Sequence, residues 1–213
     1  MQNGGNGISD KENLTDVNKT LDYYNKNVAN YYKQTASVDF ADTQNQFLHL
    51  LPKKALILDF GCGSGRDSLA FLKQGYNVEA IDGSEEMCKI ASQITGISVR
   101  KMLFQELNEN EKYDGIWACS SILHLTIEEL RLVMNKMSDS LKPGGIIYTS
   151  FKYGSFEGER NGRYFLDFKE DSFENFIIDI NELEIQKIWI SNDVRVGRGE
   201  EKWLNVILQK KIG

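Results

Sequence analysis

The stretch Ala55-Leu-Ile-Leu-Asp-Phe-Gly-Cys-Gly-Ser-Gly65 decides how this chain folds. Its first half is a short apolar run, typical of a strand that is buried on both faces. The run passes directly into glycines, which let the backbone turn tightly and approach a ligand without a Cβ in the way. Residues 66–74 then have the spacing of a helix. The stretch therefore predicts a strand, a ligand-binding turn and a helix in succession.

Strand-like and helix-like segments alternate beyond this turn, which predicts a parallel sheet with helices on its faces. A capping box, Thr126 with Glu129 three residues later, marks the start of one helix, and Lys142-Pro-Gly-Gly145 turns the chain into the fifth strand. We expect the last two strands, joined by Gly-Arg-Gly, to pair antiparallel at the sheet edge. The expected strands are 55–60, 77–81, 97–102, 113–119, 146–151, 183–190 and 203–209, and the expected helices are 66–74, 84–94, 126–140 and 169–180.

The N-terminal region divides into two parts. Residues 1–15 are rich in Asn, Gly and charge and predict a flexible tail. Residues 17–33 carry apolar and aromatic side chains at helical spacing and predict a helical cap. With 213 residues, of which 41% are hydrophobic, we expect a single domain over 16–213.

Composition disfavours several classes of partner. The 25 Lys plus Arg against 31 Asp plus Glu give a net charge of −6, which repels nucleic acid, although a local basic patch at Arg160, Arg163 and Lys169 remains open to an anion. No apolar run resembles a signal peptide or a membrane span, so we expect a cytoplasmic protein without membrane contact. No obligate protein partner is indicated.

The three cysteines, Cys62, Cys88 and Cys119, are odd in number and lack CxxC spacing. They predict neither a disulfide framework nor a metal site. A reducing compartment fits them, and packing as small residues is the expected role.

The glycine turn favours a cationic ligand over a dinucleotide. A dinucleotide turn requires a third glycine where Arg66 stands. Asp59, one step before the turn, suits a ligand with positive charge. Asp82 ends the second strand about 20 residues beyond Gly61, where a carboxylate can accept from two ribose hydroxyls. The alternatives are a plain tight turn, and an Asp82 that caps the next helix through Asp82-Gly-Ser84.

These ordered motifs resemble the class I S-adenosylmethionine (SAM) dependent methyltransferases. The match rests on Ala55 to Gly65, Val78 to Met87, Tyr113-Asp-Gly-Ile-Trp-Ala118 and Leu141-Lys-Pro-Gly-Gly-Ile146. The resemblance implies a Rossmann-like α/β three-layer sandwich whose seven-stranded, mostly parallel sheet has the order 3-2-1-4-5-7-6, with strand 7 antiparallel. A subgroup likeness to bacterial tellurite-resistance-like methyltransferases rests on the residues after the fourth strand, Gly162-Arg-Tyr164 and Trp203-Leu204.

The resemblance also implies a set of cofactor contacts. Glycines and Cys62 of the turn would line the methionine part of SAM, Asp82 would bind the ribose, and Met87 and Phe104 would lie near the adenine. The full set expected to contact SAM is Asp59, Gly61, Cys62, Gly63, Asp82, Gly83, Ser84, Met87, Phe104, Glu106 and Ala118.

Candidate residues for the acceptor side lie elsewhere in the chain. His124 follows the fourth strand and is the candidate general base, with a pocket-shaping buried histidine as the alternative. Tyr24, Tyr31 and Tyr32 are candidates for an aromatic lid over the sulfonium or the acceptor, or alternatively for a helix face packed on the core. Arg160, Arg163 and Tyr164 are candidates for an acceptor wall, with solvated loop charges as the alternative.

The sequence thus predicts methyl transfer from SAM to a small molecule by in-line displacement. Methylation of RNA or protein and a non-catalytic SAM-binding module remain alternatives. Cys119-Ser-Ser-Ile122 after the fourth strand lacks the Pro-Pro-Tyr or Pro-Cys patterns that base methyltransferases carry there. An NAD-dependent oxidoreductase is disfavoured by the turn spacing.

Overall fold

The computed structural model describes residues 9–36, 38–195 and 197–212, with side chains described from residue 19 onward. Six α-helices and nine strands lie within these residues. The helices are α1 Ser9–Thr35, α2 Ala41–Leu48, α3 Arg66–Lys73, α4 Glu85–Thr95, α5 Ile127–Ser140 and α6 Glu170–Ile177. The strands are β1 Leu56–Phe60, β2 Asn77–Asp82, β3 Val99–Lys101, β4 Tyr113–Ala118, β5 Leu141–Lys152, β6 Glu157–Arg160, β7 Arg163–Leu166, β8 Leu183–Asn192 and β9 Lys202–Lys210.

Seven strands form the main sheet in the order β3-β2-β1-β4-β5-β9-β8. The first five run parallel, and β9 runs antiparallel to both β5 and β8. This is the predicted order, in which β8 and β9 take the places of strands six and seven, because β6 and β7 form a separate two-stranded hairpin. The carboxyl ends of β1, β2 and β4 meet at one edge, which is where open α/β sheets bind ligands.

Alternation along the central strands builds the three layers. Leu58 and Ile116 point to one face and join a core that includes Met134 of α5. Their neighbours Ile57 and Trp117 point to the other face and pack in a second core against Phe47 and Phe71 of α2 and α3. A strand buried on both faces must be apolar at successive positions, which is why β1 carries no polar residue before Asp59. The predicted three-layer sandwich is confirmed.

The N-terminal helix is longer than expected. α1 begins at Ser9, eight residues before the expected start, so residues 9–15 are helical and the predicted tail is wrong there. Residues 1–8 of the predicted tail lie outside the described residues.

Two elements escaped the sequence prediction. The segment 152–168, to which the sequence assigned no helix or strand, contains the β6–β7 hairpin, whose turn is Asn161-Gly162 with φ of +52° and +74°. An Asn-Gly pair with both φ positive is a strong hairpin signal that was present in the sequence. The short helix α2 has a polar sequence in which only Gln44, Phe47 and Leu48 are buried, too few for a clear period.

Several boundaries also differ. The expected strand 97–102 is shortened to β3 Val99–Lys101, and the expected helix 169–180 to α6. The predicted turn at Lys142–Gly145 lies within β5 as an irregularity, where the pairing register with β4 shifts between Tyr113 and Gly115. The capping box of α5 is confirmed, since Thr126 Oγ1 accepts from the Glu129 backbone N–H and Glu129 Oε2 accepts from that of Thr126 at 2.9 Å.

Candidate active site

The glycine turn is fixed by backbone hydrogen bonds and by its neighbours. The N–H groups of Gly61 and Cys62 both donate to the Ile81 carbonyl, at 3.0 and 2.9 Å. Gly61 has φ of +84°, and a Cβ added there would lie 2.5 Å from Ser121 Cβ. Gly63 has φ of +53°. The turn therefore keeps a left-handed, close-packed path that side chains at these two positions would disturb.

Asp82 is held rigidly beside this turn. Its Oδ2 accepts from the Gly63 backbone N–H at 2.9 Å, and its Oδ1 accepts from that of Ser84 at 2.8 Å. Burial raises the pKa of Asp82 to about 6, while these two N–H donors act to lower it. Each carboxylate oxygen keeps a further lone pair for a ligand. Ser84 caps α4 with its hydroxyl, which accepts from the Met87 N–H, so the helix-capping role falls to Ser84.

A small cavity of about 80 Å³ opens next to the turn and Asp82. The predicted residues Gly61, Gly63, Asp82, Gly83, Met87 and Phe104 line it. From α1, Thr20, Leu21, Tyr24 and Tyr31 close it, and Gln105, Ser120, Ser121 and Leu125 complete much of the wall. Sequence reasoning did not predict cofactor contacts at Thr20, Leu21, Ser120, Ser121 and Leu125. The roof from α1 could not be placed from local sequence, because it depends on how the helix folds back over the sheet.

Three residues expected to contact SAM line neither this small cavity nor the larger cleft that adjoins it. Glu106 bends back so that its Oε2 accepts from the Leu103 backbone N–H at 2.7 Å. Gln105, its neighbour, lines the small cavity instead. Ser84 is fully buried, and its hydroxyl donates to Asn25 Oδ1 at 2.6 Å, while Ala118 is buried within β4. These positions support the site without facing it.

A larger cleft of about 470 Å³ adjoins the turn on its other side. Its walls come from α1, the turn, the segment after β4, the end of β5, the β6–β7 hairpin and the β8–β9 connection. The predicted residues on these walls are Asp59, Gly61, Cys62, His124, Tyr24, Arg160 and Arg163. The fold thus brings together the cofactor-side and acceptor-side candidates, which are separated by up to 139 residues in the chain.

A hydrogen-bonded chain crosses the boundary of the two cavities. Arg163 Nη1 donates to the Tyr24 hydroxyl at 3.3 Å, and Tyr24 Oη lies 2.9 Å from His124 Nε2. His124 Nδ1 lies 2.6 Å from the Tyr164 carbonyl, which can only accept. Nδ1 must therefore carry the proton, Nε2 must accept, and the Tyr24 hydroxyl must donate to it. Burial lowers the pKa of His124 to about 4, so the imidazole is neutral.

Asp59 lies buried at the end of β1, against α3. Ser68 Oγ donates to its Oδ2 at 2.6 Å, which ties β1 to α3. Burial and the charge of nearby Asp67 raise the pKa of Asp59 to about 8. The ionised form of this carboxyl is thus disfavoured, and its hydrogen bond to Ser68 helps to fix the start of the turn.

Asp67 is the ionised member of this buried group. Arg66 binds it with two hydrogen bonds of 2.8 Å, and Trp117 Nε1 and Gln44 Nε2 donate to it at 2.8 and 2.7 Å. Burial opposes its ionisation, but these donors hold the pKa of Asp67 below its usual value. Four charge-assisted bonds to one carboxylate fix the floor of the cleft.

Of the three predicted lid tyrosines, two line the site and one does not. Tyr24 lines both cavities, whereas Tyr32 is exposed and lines neither. Tyr31 lines both cavities as well, and its ring lies 5.4 Å from that of Tyr24. Tyr31 is seven residues after Tyr24 and so lies about 20° from it around the helix axis. Tyr32 is eight residues after Tyr24 and lies about 80° away, which turns its side chain out of the site. Tyr164 contributes only its carbonyl, since its hydroxyl donates to Glu157 away from the cleft.

The far wall of the cleft carries residues that sequence reasoning missed. Asp193 accepts from Arg195 Nε at 2.9 Å and from Trp203 Nε1 at 3.1 Å, and these bonds hold its pKa well below its usual value despite burial. Lys152 lies over the Trp203 ring at 4.1 Å and pairs with Glu201. Nothing in the local sequence signals this cluster, because it forms only where β5 and β9 pair.

Metal and thiol chemistry find no support among the described residues. No group of three or more His, Cys, Asp or Glu side chains within them is arranged to hold a metal ion. Burial raises the pKa of Cys62 well above its usual value and that of Cys119 to about 12, so both thiols are protonated.

Within the described part of the chain, no helix has both the length and the apolar character needed to cross a membrane.

Residues 57–145 match the model of a methyltransferase domain, a range that runs from β1 into β5 and contains the glycine turn and Asp82. Over these residues the chain is similar to a methyltransferase domain. Members of this family use SAM, which agrees with the predicted resemblance. The match rests on the half of the sheet that builds the cofactor edge.

The domain resembles proteins of known sequence and structure. A putative methyltransferase of Bacillus subtilis, YqeM, is 34% identical in an alignment of length 114 that covers 48% of this chain and 46% of that protein. The chain spans about half the length of the curated relatives it matches first.

Two solved structures show the same fold. The 1,6-didemethyltoxoflavin-N1-methyltransferase of Burkholderia thailandensis, solved with its substrate and S-adenosylhomocysteine, has a TM-score of 0.73 at 18% identity, over 99% of this chain and 93% of that one. A TehB-like SAM-dependent methyltransferase of Corynebacterium glutamicum has a TM-score of 0.65 at 18% identity, over 89% of this chain and 100% of that one.

Proposed function

We propose that this protein transfers a methyl group from SAM to a small-molecule acceptor. The observation that carries the proposal is the pairing of the glycine turn with Asp82, whose carboxylate is held by two backbone N–H groups and retains free acceptor capacity. That pairing lies at the carboxyl ends of β1 and β2, where this class of fold binds its ligand.

The residues of the site fit the cofactor. Asp82 would accept from the ribose hydroxyls, Met87 and Phe104 would pack against the adenine, and the turn would leave room for the methionine part. SAM supplies a methyl group on a sulfonium, so alignment and exclusion of water provide much of the rate acceleration. The cavity of about 80 Å³ shares Gly61 and His124 in its lining with the cleft of about 470 Å³, so the cofactor can extend from one into the other.

The cleft of about 470 Å³ favours a small acceptor over a polymer. Contacts between α1 and the hairpin roof it, including Lys19 Nζ to Glu159 Oε2 at 3.0 Å and Arg163 to Tyr24. A polymer would need these contacts to open along a groove. The alternatives are methylation of RNA or protein and non-catalytic SAM binding. A comparison of SAM turnover with different classes of acceptor separates them.

His124 acts as a positioning residue in this proposal. Its Nε2 already accepts from Tyr24, and burial and the Arg163 charge disfavour a protonated imidazole. A poor proton acceptor with its lone pair occupied is badly suited to general base catalysis. The Tyr24 hydroxyl, oriented by His124, is therefore the group that we expect at the reacting centre.

The test is SAM turnover, followed as S-adenosylhomocysteine formed, with a pool of small metabolites, with total RNA and with a protein extract. We expect product only with the small-molecule pool, and loss of turnover in Asp82→Asn. Product with RNA or protein alone would contradict the acceptor class. SAM binding without turnover on any pool would identify a non-catalytic module.

A further inference from the structure

We propose that the acceptor carries an anionic group, a carboxylate or another oxyanion, and that Arg163 is the residue that binds it. The inference rests on the proposed function, because it names the substrate class of the same cleft. It is argued from the surroundings of this one side chain.

Arg163 has no carboxylate partner in an ion pair among the described residues. Its guanidinium lies between aromatic rings, 4.3 Å from the centre of Tyr23 and 5.0 Å from that of Phe165. Its one hydrogen bond within the structure described is the 3.3 Å contact to the neutral Tyr24 hydroxyl, and its Nε is buried with no acceptor. A partly buried guanidinium with most of its five donors unused is costly unless a ligand completes it.

The other cations of the cleft show what Arg163 lacks. Each of them lies within 4 Å of a carboxylate, so their charges are already compensated. These pairs are Arg66 with Asp67, Lys152 with Glu201 and Asp193, Arg160 with Asp167, Arg195 with Asp193, and Arg198 with Glu201. Arg163 is therefore the position on the wall where an incoming anion would meet an uncompensated charge.

The placement of Arg163 also suits acceptor recognition. It is the first residue of β7, beside Tyr164, whose carbonyl accepts from His124. Through Tyr24 it is linked to the boundary between the small cavity and the cleft. An anionic group bound by Arg163 would thus be anchored next to the Tyr24 hydroxyl, with the rest of the acceptor within the cleft.

The experiment uses the whole protein saturated with S-adenosylhomocysteine and titrated calorimetrically with benzoate, benzamide and inorganic phosphate. Benzoate and benzamide have nearly the same shape and differ in charge. The variants are Arg163→Gln, Arg163→Lys and, as the matched control, Arg198→Gln, which removes a half-exposed arginine of the same cleft that already pairs with Glu201.

We expect at least one of the two anions to bind the wild type at least tenfold more tightly than benzamide. Arg163→Gln should lower that affinity at least tenfold, Arg163→Lys should lower it less, and Arg198→Gln should change it less than threefold. S-adenosylhomocysteine affinity should be unchanged in all variants, which shows that they fold. If this ligand does not bind the wild type, the proposed function fails and this inference with it. If it binds but neither anion depends on Arg163, only the inference is overturned.

Discussion

Gly61→Ala is the substitution that the turn should tolerate least. The added Cβ would lie 2.5 Å from Ser121 Cβ and 3.0 Å from Phe104 Cζ, at a φ of +84°. The left-handed backbone costs about 1–2 kcal/mol for a non-glycine residue. The overlap costs a further 1–3 kcal/mol or so, as in an overpacked core. We expect Gly61→Ala to lower the free energy of unfolding by about 2–5 kcal/mol, the sum of the two effects.

Gly75→Ala is the matched control, because Gly75 has φ of +87° but a Cβ there would meet nothing within 4 Å. It carries the backbone cost alone, about 1–2 kcal/mol. Urea unfolding of both variants measures the difference, and titration with S-adenosylhomocysteine should show normal affinity in Gly75→Ala and a loss in Gly61→Ala. Equal destabilisation of the two variants would refute the close packing of the turn against Ser121 and Phe104.

Three further predictions concern the interior of the site. Tyr24→Phe leaves the buried Nε2 of His124 without its donor and should cost about 1–3 kcal/mol in urea unfolding; an unchanged midpoint would contradict the hydrogen bond. Trp117→Phe removes the 2.8 Å bond to ionised Asp67 and should cost about 2–4 kcal/mol, measured in the same way, whereas a loss under 1 kcal/mol would count against the network. Cys119, whose pKa is raised to about 12 by burial, should react with iodoacetamide at pH 8 only after unfolding, and rapid labelling of the native protein would disprove its protonated state.

The cofactor edge could be predicted because its signals are local. The glycine turn and Asp82 follow directly from short runs whose strands end at the same edge of a parallel sheet, and the structure places both there. The strand order was predicted through the family resemblance and is confirmed. The Asn161-Gly162 hairpin could have been predicted too, since its turn signal was present in the sequence.

Other features depended on contacts that no local pattern encodes. Tyr31 and Tyr32 differ only in their phase around α1, which is set by the surface on which the helix packs. Glu106 does not face the site because its side chain accepts from the Leu103 backbone N–H at 2.7 Å. Among the described residues no carboxylate pairs with Arg163. The sequence could not predict this, because it depends on which side chains the fold brings to the cleft.

The most direct test of the account is calorimetric titration of S-adenosylhomocysteine into the wild type and Asp82→Asn from pH 5 to pH 8. Because burial raises the pKa of Asp82 to about 6, its carboxylate is ionised above that pH and protonated below it. We predict wild-type affinity that falls as the pH drops through 6, and affinity in Asp82→Asn that is at least tenfold weaker at pH 8, about 1.4 kcal/mol, and flat across the range. Equal affinities of the two proteins at pH 8, or no binding to the wild type, would contradict the assignment of this edge as the SAM site.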